Sequence, residues 1–189
     1  LKGFALPYGD VAVGGYRNSP YVVSQNTGAY LDTPKFLDTD HLVENAADAE
    51  AYLDRLAQYP AQLSGELGRM RSAAAKGVLL PAFLNDKAVK QLEGAAKGAH
   101  DGGGLVESLV RRTKGMPGNW GERARAIASG PVAAALDAQI AELKRQRPLA
   151  GNDGGVWAQP GGDEYYRYAL RASTTTDMTP EAIHQLGLD

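Results

Sequence analysis

The fold is decided by residues 45–77, which read NAADAEAYLDRLAQYPAQLSGELGRMRSAAAKG. Asn45 is suited to accept hydrogen bonds from the free amides of a first helical turn, and Leu53 and Leu56 then fall on one face of the helix. Pro60 has no amide hydrogen, and a proline ring clashes with the preceding turn of a helix. The first half of the stretch therefore predicts an amphipathic helix that begins after Asn45 and ends at Pro60.

The second half of the same stretch has the period of another helix. Its apolar side chains recur at positions i, i+4, i+7 and i+11, namely Leu63, Leu67, Met70 and Ala74. Gly77 is suited to end this helix, whereas Gly65 and Gly68 inside it each cost about 1 kcal/mol relative to alanine. Such a helix depends on packing against a neighbour, so the whole stretch indicates a helical array.

The chain continues with further short helices separated by breakers. Asn85 is suited to cap the next helix, in which Val89 and Leu92 face inward. The glycine-rich run AHDGGG at residues 99–104 ends that helix. Shorter helices are predicted over residues 105–112 and 122–130.

Residues 131–147, PVAAALDAQIAELKRQR, have the clearest helical period in the chain. Pro131 fits the first turn of a helix, where its missing amide costs nothing. The apolar stripe consists of Leu136, Ile140 and Leu143. These residues predict a helix with one buried face.

A tyrosine-rich helix is predicted to start at Gly162 or Asp163 and to end in the polar corner STTTD at residues 173–177. Thr179 then caps a second helix, with Pro180 at its first position. The sequence therefore predicts two helices joined by a sharp turn.

The last of these helices is short for one that must bury an apolar face. A helix of about three turns is marginal without packing, and its apolar residues are Ile183 and Leu186. We therefore interpret Asp189 as a boundary inside a larger protein. We expect this face to pack against a portion that follows it.

The first forty residues lack a regular pattern, because Gly, Pro, Asn and Asp recur every few positions. The run YVVS at residues 21–24 is compatible with one short strand. We predict an irregular strap over residues 1–44 and a helical region over residues 45–189 that forms an incomplete domain. The expected fold class is all-α, an antiparallel helical array with an irregular N-terminal strap.

Composition excludes several classes of protein. The chain has 189 residues, a net charge of −2 and no cysteine, which excludes disulfides and thiolate zinc sites. The charge argues against a dedicated nucleic-acid binder. No apolar run approaches the roughly 18–20 residues of a spanning helix, so no membrane span is expected in this segment.

The sequence offers no recognisable catalytic motif. His41, His100 and His184 are separated by 59 and 84 residues, so neither a helical histidine pair nor a His-Glu-x-x-His run is present. Gly-x-Ser-x-Gly and phosphate-binding loops are also absent. We therefore assign no catalytic residue and no metal ligand.

Two groups of residues near the C terminus are candidates for binding. The run GVWAQPGGDEYYRYAL at residues 155–170 concentrates Trp157, Tyr165 and Tyr166, a density typical of either a polar-edged core or the wall of a cleft. The STTTD corner places hydroxyl groups beside a helix N-terminus, which suits either local capping or an anionic group.

Four stretches, in this order, carry a resemblance to a known family. They are SPYVVSQNTGAYLDTPKFL (19–37), DAEAYLDRLAQ (48–58), AAAKGVLLPAFLNDKAVKQL (73–92) and GVWAQPGGDEYYRYALRASTTTDMTPEAIHQLGL (155–188). Together they resemble the N-terminal half of the bacterial domain-of-unknown-function family 885. The last stretch is the most specific.

The resemblance implies a helical, zincin-like metallopeptidase that is exported or periplasmic and in some members lipid-anchored. It implies zinc in the full-length parent, held by a His-Glu segment that follows everything in this chain. No position here matches that segment, so we expect this chain to bind no cofactor. Its partner would be the C-terminal catalytic half of the same protein.

The implied function is that of a noncatalytic N-terminal portion of a metal-dependent peptidase or related hydrolase, inactive on its own. Its substrates would be peptides or peptide-like molecules. The residues suggested to line the substrate cleft are Tyr165, Tyr166, Thr174, Thr175 and Thr176. The alternatives are a stand-alone helical binding module and a scaffold protein that has lost catalysis.

Overall fold

The computed structural model describes residues 19–189, so the predictions for residues 1–18 lie outside the described residues. The fold is all-α, as predicted. The helices are α1 (Ala29–Lys35), α2 (Ala46–Ala75), α3 (Ala82–Asp101), α4 (Leu105–Arg112), α5 (Trp120–Ile127), α6 (Ala133–Gln146), α7 (Gly162–Thr174) and α8 (Pro180–Leu186). In this part of the chain, YVVS forms no strand and contributes only an isolated bridge between Ser24 and Thr27.

Helix α2 is a single helix of 30 residues, so the predicted end at Pro60 is wrong. Asn45 caps it as predicted, because its side chain accepts from the amides of Ala47 and Asp48. Beyond the proline the buried face continues through Leu63 and Met70. Packing along this face offsets the one hydrogen bond that proline removes from a helix.

The predicted irregular strap contains helical structure from residue 29 onward. Helix α1 continues into a π-helical turn over Phe36–Asp40. Tyr30 and Leu37 from this segment are buried in the main core. The segment lacks a sequence period because tertiary contacts, more than local propensity, determine its conformation.

Helix α3 begins four residues earlier than predicted, at Ala82, with Pro81 in place of Asn85 in the N-cap position. Asn85 is therefore not a cap. It is completely buried inside the helix, and its side-chain amide donates to the carbonyl of Leu143 at 3.1 Å. The helix also continues to Asp101, and Gly102 ends it with a left-handed conformation (φ 72°).

Helix α6 packs against both α2 and α3 and lies at the centre of the array. Its stripe of Leu136, Ile140 and Leu143 is buried, as predicted. Pro131 does not begin this helix. It lies in a π-helical turn, Ala128–Val132, through which α5 continues into α6.

Candidate functional site at the C-terminal helices

Helix α7 is attached to the array by a small apolar cluster that is separate from the main core. Tyr165 is buried there against Ala73 and Val78, at the end of α2 and just beyond it. Burial raises the pKa of the Tyr165 hydroxyl. A second attachment is the side chain of Gln159, which accepts from the amide of Leu79 at 3.1 Å. Helix α7 therefore depends on few buried contacts.

Gly162 allows a close approach at the start of α7. A β-carbon added at this position would overlap the backbone carbonyl of Val156, and a backbone carbonyl cannot move away as a flexible side chain can. The turn Val156–Ala158 thus packs directly on the first turn of α7.

We expect Gly162→Ala to destabilise the attachment of α7 by about 1–3 kcal/mol, because overpacking forces the backbone to shift. Hydrogen exchange of the α7 amides should become faster while exchange in α2 and α6 stays unchanged. Gly68→Ala is the control, because a β-carbon there meets no atom within 4 Å. Equal protection of α7 in both variants would contradict this assignment.

The threonine corner is held by hydrogen bonds to its own backbone. Thr174 Oγ1 donates to the carbonyl of Leu170 at 2.8 Å, and Thr175 Oγ1 donates to the carbonyl of Thr174 at 2.7 Å. Thr175 adopts the left-handed conformation (φ 57°) that ends α7. Thr176 Oγ1 accepts from the amide of Met178 at 3.2 Å. Local capping therefore occupies these hydroxyl groups.

Helix α8 begins as predicted. Thr179 Oγ1 accepts from the amide of Ala182 at 3.2 Å, and Pro180 occupies the first helical position. None of the side chains of α8 is buried in this structure. Leu186 and Leu188 are 66% and 67% exposed. Of the apolar face predicted for this helix, residues 19–189 cover Ile183 only in part and leave Leu186 exposed.

Helices α7 and α8 and the turns beside them expose several large apolar side chains. We define the C-terminal apolar surface as Trp157, Tyr166, Met178, Leu186 and Leu188. Trp157 is 69% exposed, although its indole nitrogen donates to Asp153 at 3.2 Å. Exposed apolar side chains that concentrate in one region mark interaction sites more often than isolated ones do.

Two cavities lie beside these helices, and three of the predicted site residues are divided between them. A cavity of about 270 Å³ is lined by Tyr165 and Tyr166, together with Val156 and Leu170. A second cavity, of about 310 Å³ at the turn between α7 and α8, has Thr176 in its wall. Thr174 and Thr175 line neither cavity. The structure thus brings the two tyrosines together and places the threonines apart from them.

The cavity at the turn has a mixed electrostatic character. Arg167 and Arg171 line it together with Asp177, and Arg171 forms an ion pair with Asp177 at 3.1 Å. Glu181 is in the first turn of α8, and hydrogen bonds to its own backbone amide and to Thr179 lower its pKa. These groups are suited to hold a polar or charged segment of a partner.

Sequence reasoning missed part of the tyrosine cavity. Pro20, Val156 and Ala169 belong to its wall. Tyr165 and Ala169 are four residues apart and so lie on the same face of a helix, which is a sequence signal that could have identified Ala169. Pro20 and Val156 reach the site only through tertiary packing.

The three histidines occupy separate environments. His41 stacks between Phe36 and Tyr52, and His100 contacts Asp137 at 3.0 Å. His184 is exposed on α8. Within the described residues, no group of three or more His, Asp or Glu side chains is placed to hold a metal ion. None of the helices described in this structure has the length and apolar character needed to cross a membrane.

Comparison with protein families matches residues 8–189 to the family described as "Bacterial protein of unknown function (DUF885)". The chain belongs to the DUF885 family. This match confirms the family that the four sequence stretches predict. A comparison with curated proteins finds no match.

Comparison with solved structures extends the likeness to the fold. A crystal structure described as "the putative lipoprotein from Colwellia psychrerythraea" superimposes with a TM-score of 0.83 at 24% sequence identity. The alignment covers 92% of this DUF885 chain and 31% of the Colwellia chain. This chain therefore spans about a third of the length of the structure that it matches.

Proposed function

We propose that this chain is the noncatalytic N-terminal portion of a longer, metal-dependent peptidase or related hydrolase that acts on peptides or peptide-like substrates. The observation that carries the proposal is the C-terminal apolar surface, because α8 buries none of its side chains and both Leu186, at its end, and Leu188, just beyond it, are exposed. We place the remaining portion of the protein against this surface. The length of the Colwellia structure supports a longer parent.

In this proposal the metal belongs to the remaining portion. The described residues of this chain supply no converging set of ligands, so we assign none of them to zinc and no reaction step to this chain. Its contribution is structural: Tyr165 and Tyr166 form part of a cavity wall, and the remaining portion completes a cleft beside it. The resemblance to zincin-like enzymes supplies the reaction class.

We also infer that the parent protein is exported or periplasmic, with a lipid anchor as one way of retaining it. The resemblance to exported family members supports this location. So does the description of the Colwellia structure as a lipoprotein. Fractionation of cells that express the full-length protein with its natural start tests the inference, and recovery only from the cytoplasm would contradict it.

The activity is tested on the full-length protein. We expect about one bound metal ion per chain, cleavage of peptide substrates, and loss of cleavage with a chelator. The 189-residue chain alone is expected to show neither property. A full-length protein that holds no metal and cleaves no peptide would contradict the proposed activity and favour a scaffold that has lost catalysis.

The docking surface is tested by a separate pair of variants. Leu186→Ser is expected to lower the stability of the full-length protein by about 1–3 kcal/mol, because a buried leucine loses its apolar contacts. The same change should be nearly neutral in the isolated 189-residue chain, where Leu186 is exposed. Gln185→Ser, on the same helix, is the control and should be nearly neutral in both.

The alternative function is a stand-alone helical binding module that uses the same exposed surface for a separate protein. In that case Leu186→Ser would leave the full-length protein as stable as Gln185→Ser does. This result would overturn the proposed docking whether or not the protein cleaves peptides. The two tests therefore distinguish activity from assembly.

A further inference from the structure

A cavity beside Tyr59 of α2, which shares no lining residue with the tyrosine cavity, has no role in the proposed function. It has a volume of about 190 Å³ and lies where α1 and the C-terminal end of α3 meet the start of α4. Six of the residues in its wall decide its character, namely Tyr30, Tyr59, Gly98, Gly103, Leu105 and Leu136. None of the residues that line it carries a charge.

The size and lining of the cavity restrict what it can hold. An apolar cavity of about 150 Å³ is large enough to bind benzene, so about 190 Å³ suits a single ring with a small substituent. Burying an ion without an opposite charge is strongly unfavourable. The occupant is therefore compact, uncharged and largely apolar.

Gly98 is one of three glycines in the wall of the cavity. Gly98 lies inside α3, where glycine is less stable than alanine, yet a β-carbon at Gly98 would meet no atom within 4 Å. Close helix packing therefore does not explain this glycine, in contrast to Gly162, where the backbone of a neighbouring turn fills the space. Gly98 therefore leaves room beside α3, although alanine at this position would favour the helix more.

Tyr59 provides an independent sign of a missing partner. Its side chain is 2% exposed and borders this cavity as well as a second one beside α1, and its hydroxyl group has no hydrogen-bond partner among residues 19–189. Buried hydroxyl groups are normally hydrogen-bonded. The neighbouring Tyr30 follows this rule, since its hydroxyl contacts the carbonyl of Ser24 at 2.8 Å and Gln91 Oε1 at 2.7 Å.

We propose that this cavity is a binding site for a small uncharged molecule of about one ring, whose single oxygen atom accepts a hydrogen bond from the Tyr59 hydroxyl. The apolar wall around Leu105 and Leu136 holds the ring, and the hydroxyl selects a carbonyl-bearing ligand over a hydrocarbon of the same shape. The site is independent of the proposed peptidase function, because it uses none of the residues of the C-terminal helices.

The probes for this site are acetophenone and ethylbenzene, which have nearly the same shape and differ in the carbonyl oxygen. Binding to the full-length protein is measured by NMR titration, with the methyl signals of Leu105 and Leu136 as reporters. We expect acetophenone to bind about 5–10 times more tightly than ethylbenzene, the effect of one net hydrogen bond. Failure of acetophenone to shift these signals would overturn the proposal.

Variants at Tyr59 test the hydrogen bond to the ligand, and variants at Gly98 test whether the ligand occupies the cavity. Tyr59→Phe should bind both probes with equal affinity and should melt at the same or a higher temperature, because it removes an unpartnered buried hydroxyl. A preference for acetophenone that survives in Tyr59→Phe would overturn the assigned role of the hydroxyl.

Gly98→Leu should fill the cavity and weaken acetophenone binding more than tenfold, whereas Gly94→Leu should bind as the wild type does. Gly94 is the matched control because it lies one turn away on α3 and a β-carbon there also meets no atom within 4 Å. Gly98→Ala, which adds a single methyl group, is measured as well in case Gly98→Leu folds poorly, and it should weaken binding to an intermediate degree. Equal affinities in the Gly98 and Gly94 variants would place the probe outside this cavity and overturn the proposal.

Discussion

Replacing Glu66 by alanine is expected to lower the free energy of unfolding by about 2–4 kcal/mol, because it removes the acceptor for two buried donors. Glu66 is buried in α2. One carboxylate oxygen accepts from the amide of Ala29 at 2.8 Å and the other from the side-chain amide of Gln139 at 3.1 Å. The carboxylate thus joins the start of α1 and the centre of α6 to α2.

The loss is measured by urea unfolding, with two control variants. Glu66→Gln keeps an acceptor for Ala29 but sets two amide groups face to face, so its loss should be smaller, about 1 kcal/mol. Glu93→Ala removes only an exposed ion pair with Lys144, a change worth about 0–1 kcal/mol. If Glu66→Ala unfolds at the same urea concentration as Glu93→Ala, the assigned role of the buried carboxylate is wrong.

Glu66 also predicts a pH dependence with a definite sign. Burial raises the pKa of its carboxyl group, and the hydrogen bonds from Ala29 and Gln139 only partly oppose this rise. The folded protein therefore holds the Glu66 proton to a higher pH than the unfolded chain does. The stabilisation from protonated Glu66 is fully present below the unfolded-state pKa and is lost as the pH rises through the folded-state pKa.

Glu66→Gln isolates this contribution, because glutamine does not titrate. The stability of the wild type relative to Glu66→Gln should fall as the pH is raised above about 4.5, the ordinary value for a glutamate. The contributions of groups that titrate in both proteins cancel when the two stabilities are subtracted. A constant difference between pH 4.5 and 8 would show that burial does not perturb this carboxyl group.

The contacts of Glu66 show where sequence reasoning stops. Residue 66 lies in a stretch that was predicted to be helical, and the buried stripe around it, Leu63 and Met70, was predicted correctly. Its two partners are 37 and 73 residues away in the sequence. Periodicity reports which residues share a face of one helix, but it does not report which buried donor from another helix meets that face.

The errors in the predicted helices have the same origin. Pro60 and Asn85 were assigned from their local preferences, for ending and capping a helix. Both lie inside helices because packing outweighs those preferences. Asn45 and Thr179 were predicted correctly as caps, since a cap needs only its own first turn. Local signals thus succeed where the partners are local.

In the candidate site, too, features with local partners were predicted from the sequence and features that depend on distant residues were not. The threonine corner was recognised from sequence, and its hydroxyl groups bind the backbone nearby. The tyrosine cavity required Pro20 and Val156 to approach α7, which only the fold provides. The substrate-binding role of Tyr165, Tyr166 and Thr174–Thr176 stays a prediction.

Replacing Arg112 by alanine is expected to have an effect at least as large as that of Glu66→Ala, about 3–5 kcal/mol. The Arg112 guanidinium donates to the carbonyls of His41 at 2.6 Å and Leu37 at 2.7 Å. Each hydrogen bond from a charged donor contributes about 1.5–3 kcal/mol. The guanidinium also lies 5.3 Å from the centre of the Tyr52 ring, a cation–π contact of about 0.5–2 kcal/mol.

The reason for this large effect is the position of the two carbonyls, because Leu37 lies in the π-helical turn Phe36–Asp40 and His41 is the residue that ends it. Arg112, from α4, donates to both carbonyls and fixes His41, whose ring lies between those of Phe36 and Tyr52. Without Arg112, the turn should open and α1 should separate from α4. Faster hydrogen exchange over residues 36–41 measures this opening directly.

Arg111 is a closely matched control because it is the adjacent residue and has the same side chain. Its ion pair with Asp38 at 3.2 Å is exposed, so Arg111→Ala should cost about 0–1 kcal/mol. The loss of stability in Arg112→Lys should lie between those of Arg111→Ala and Arg112→Ala, because an ammonium group does not form the forked pair of hydrogen bonds to two carbonyls.

The titration of His41 gives a second measurement that distinguishes the Arg112 charge from its packing. Burial is the main cause that lowers the pKa of His41, followed by the charges of Arg55 and Arg112. Arg112→Ala removes one of these charges and loosens the turn, so the pKa of His41 should rise toward its ordinary value of 6.5. Arg112→Lys keeps the charge and should raise it less. If both variants unfold like Arg111→Ala and leave the His41 pKa unchanged, Arg112 does not hold the π-helical turn.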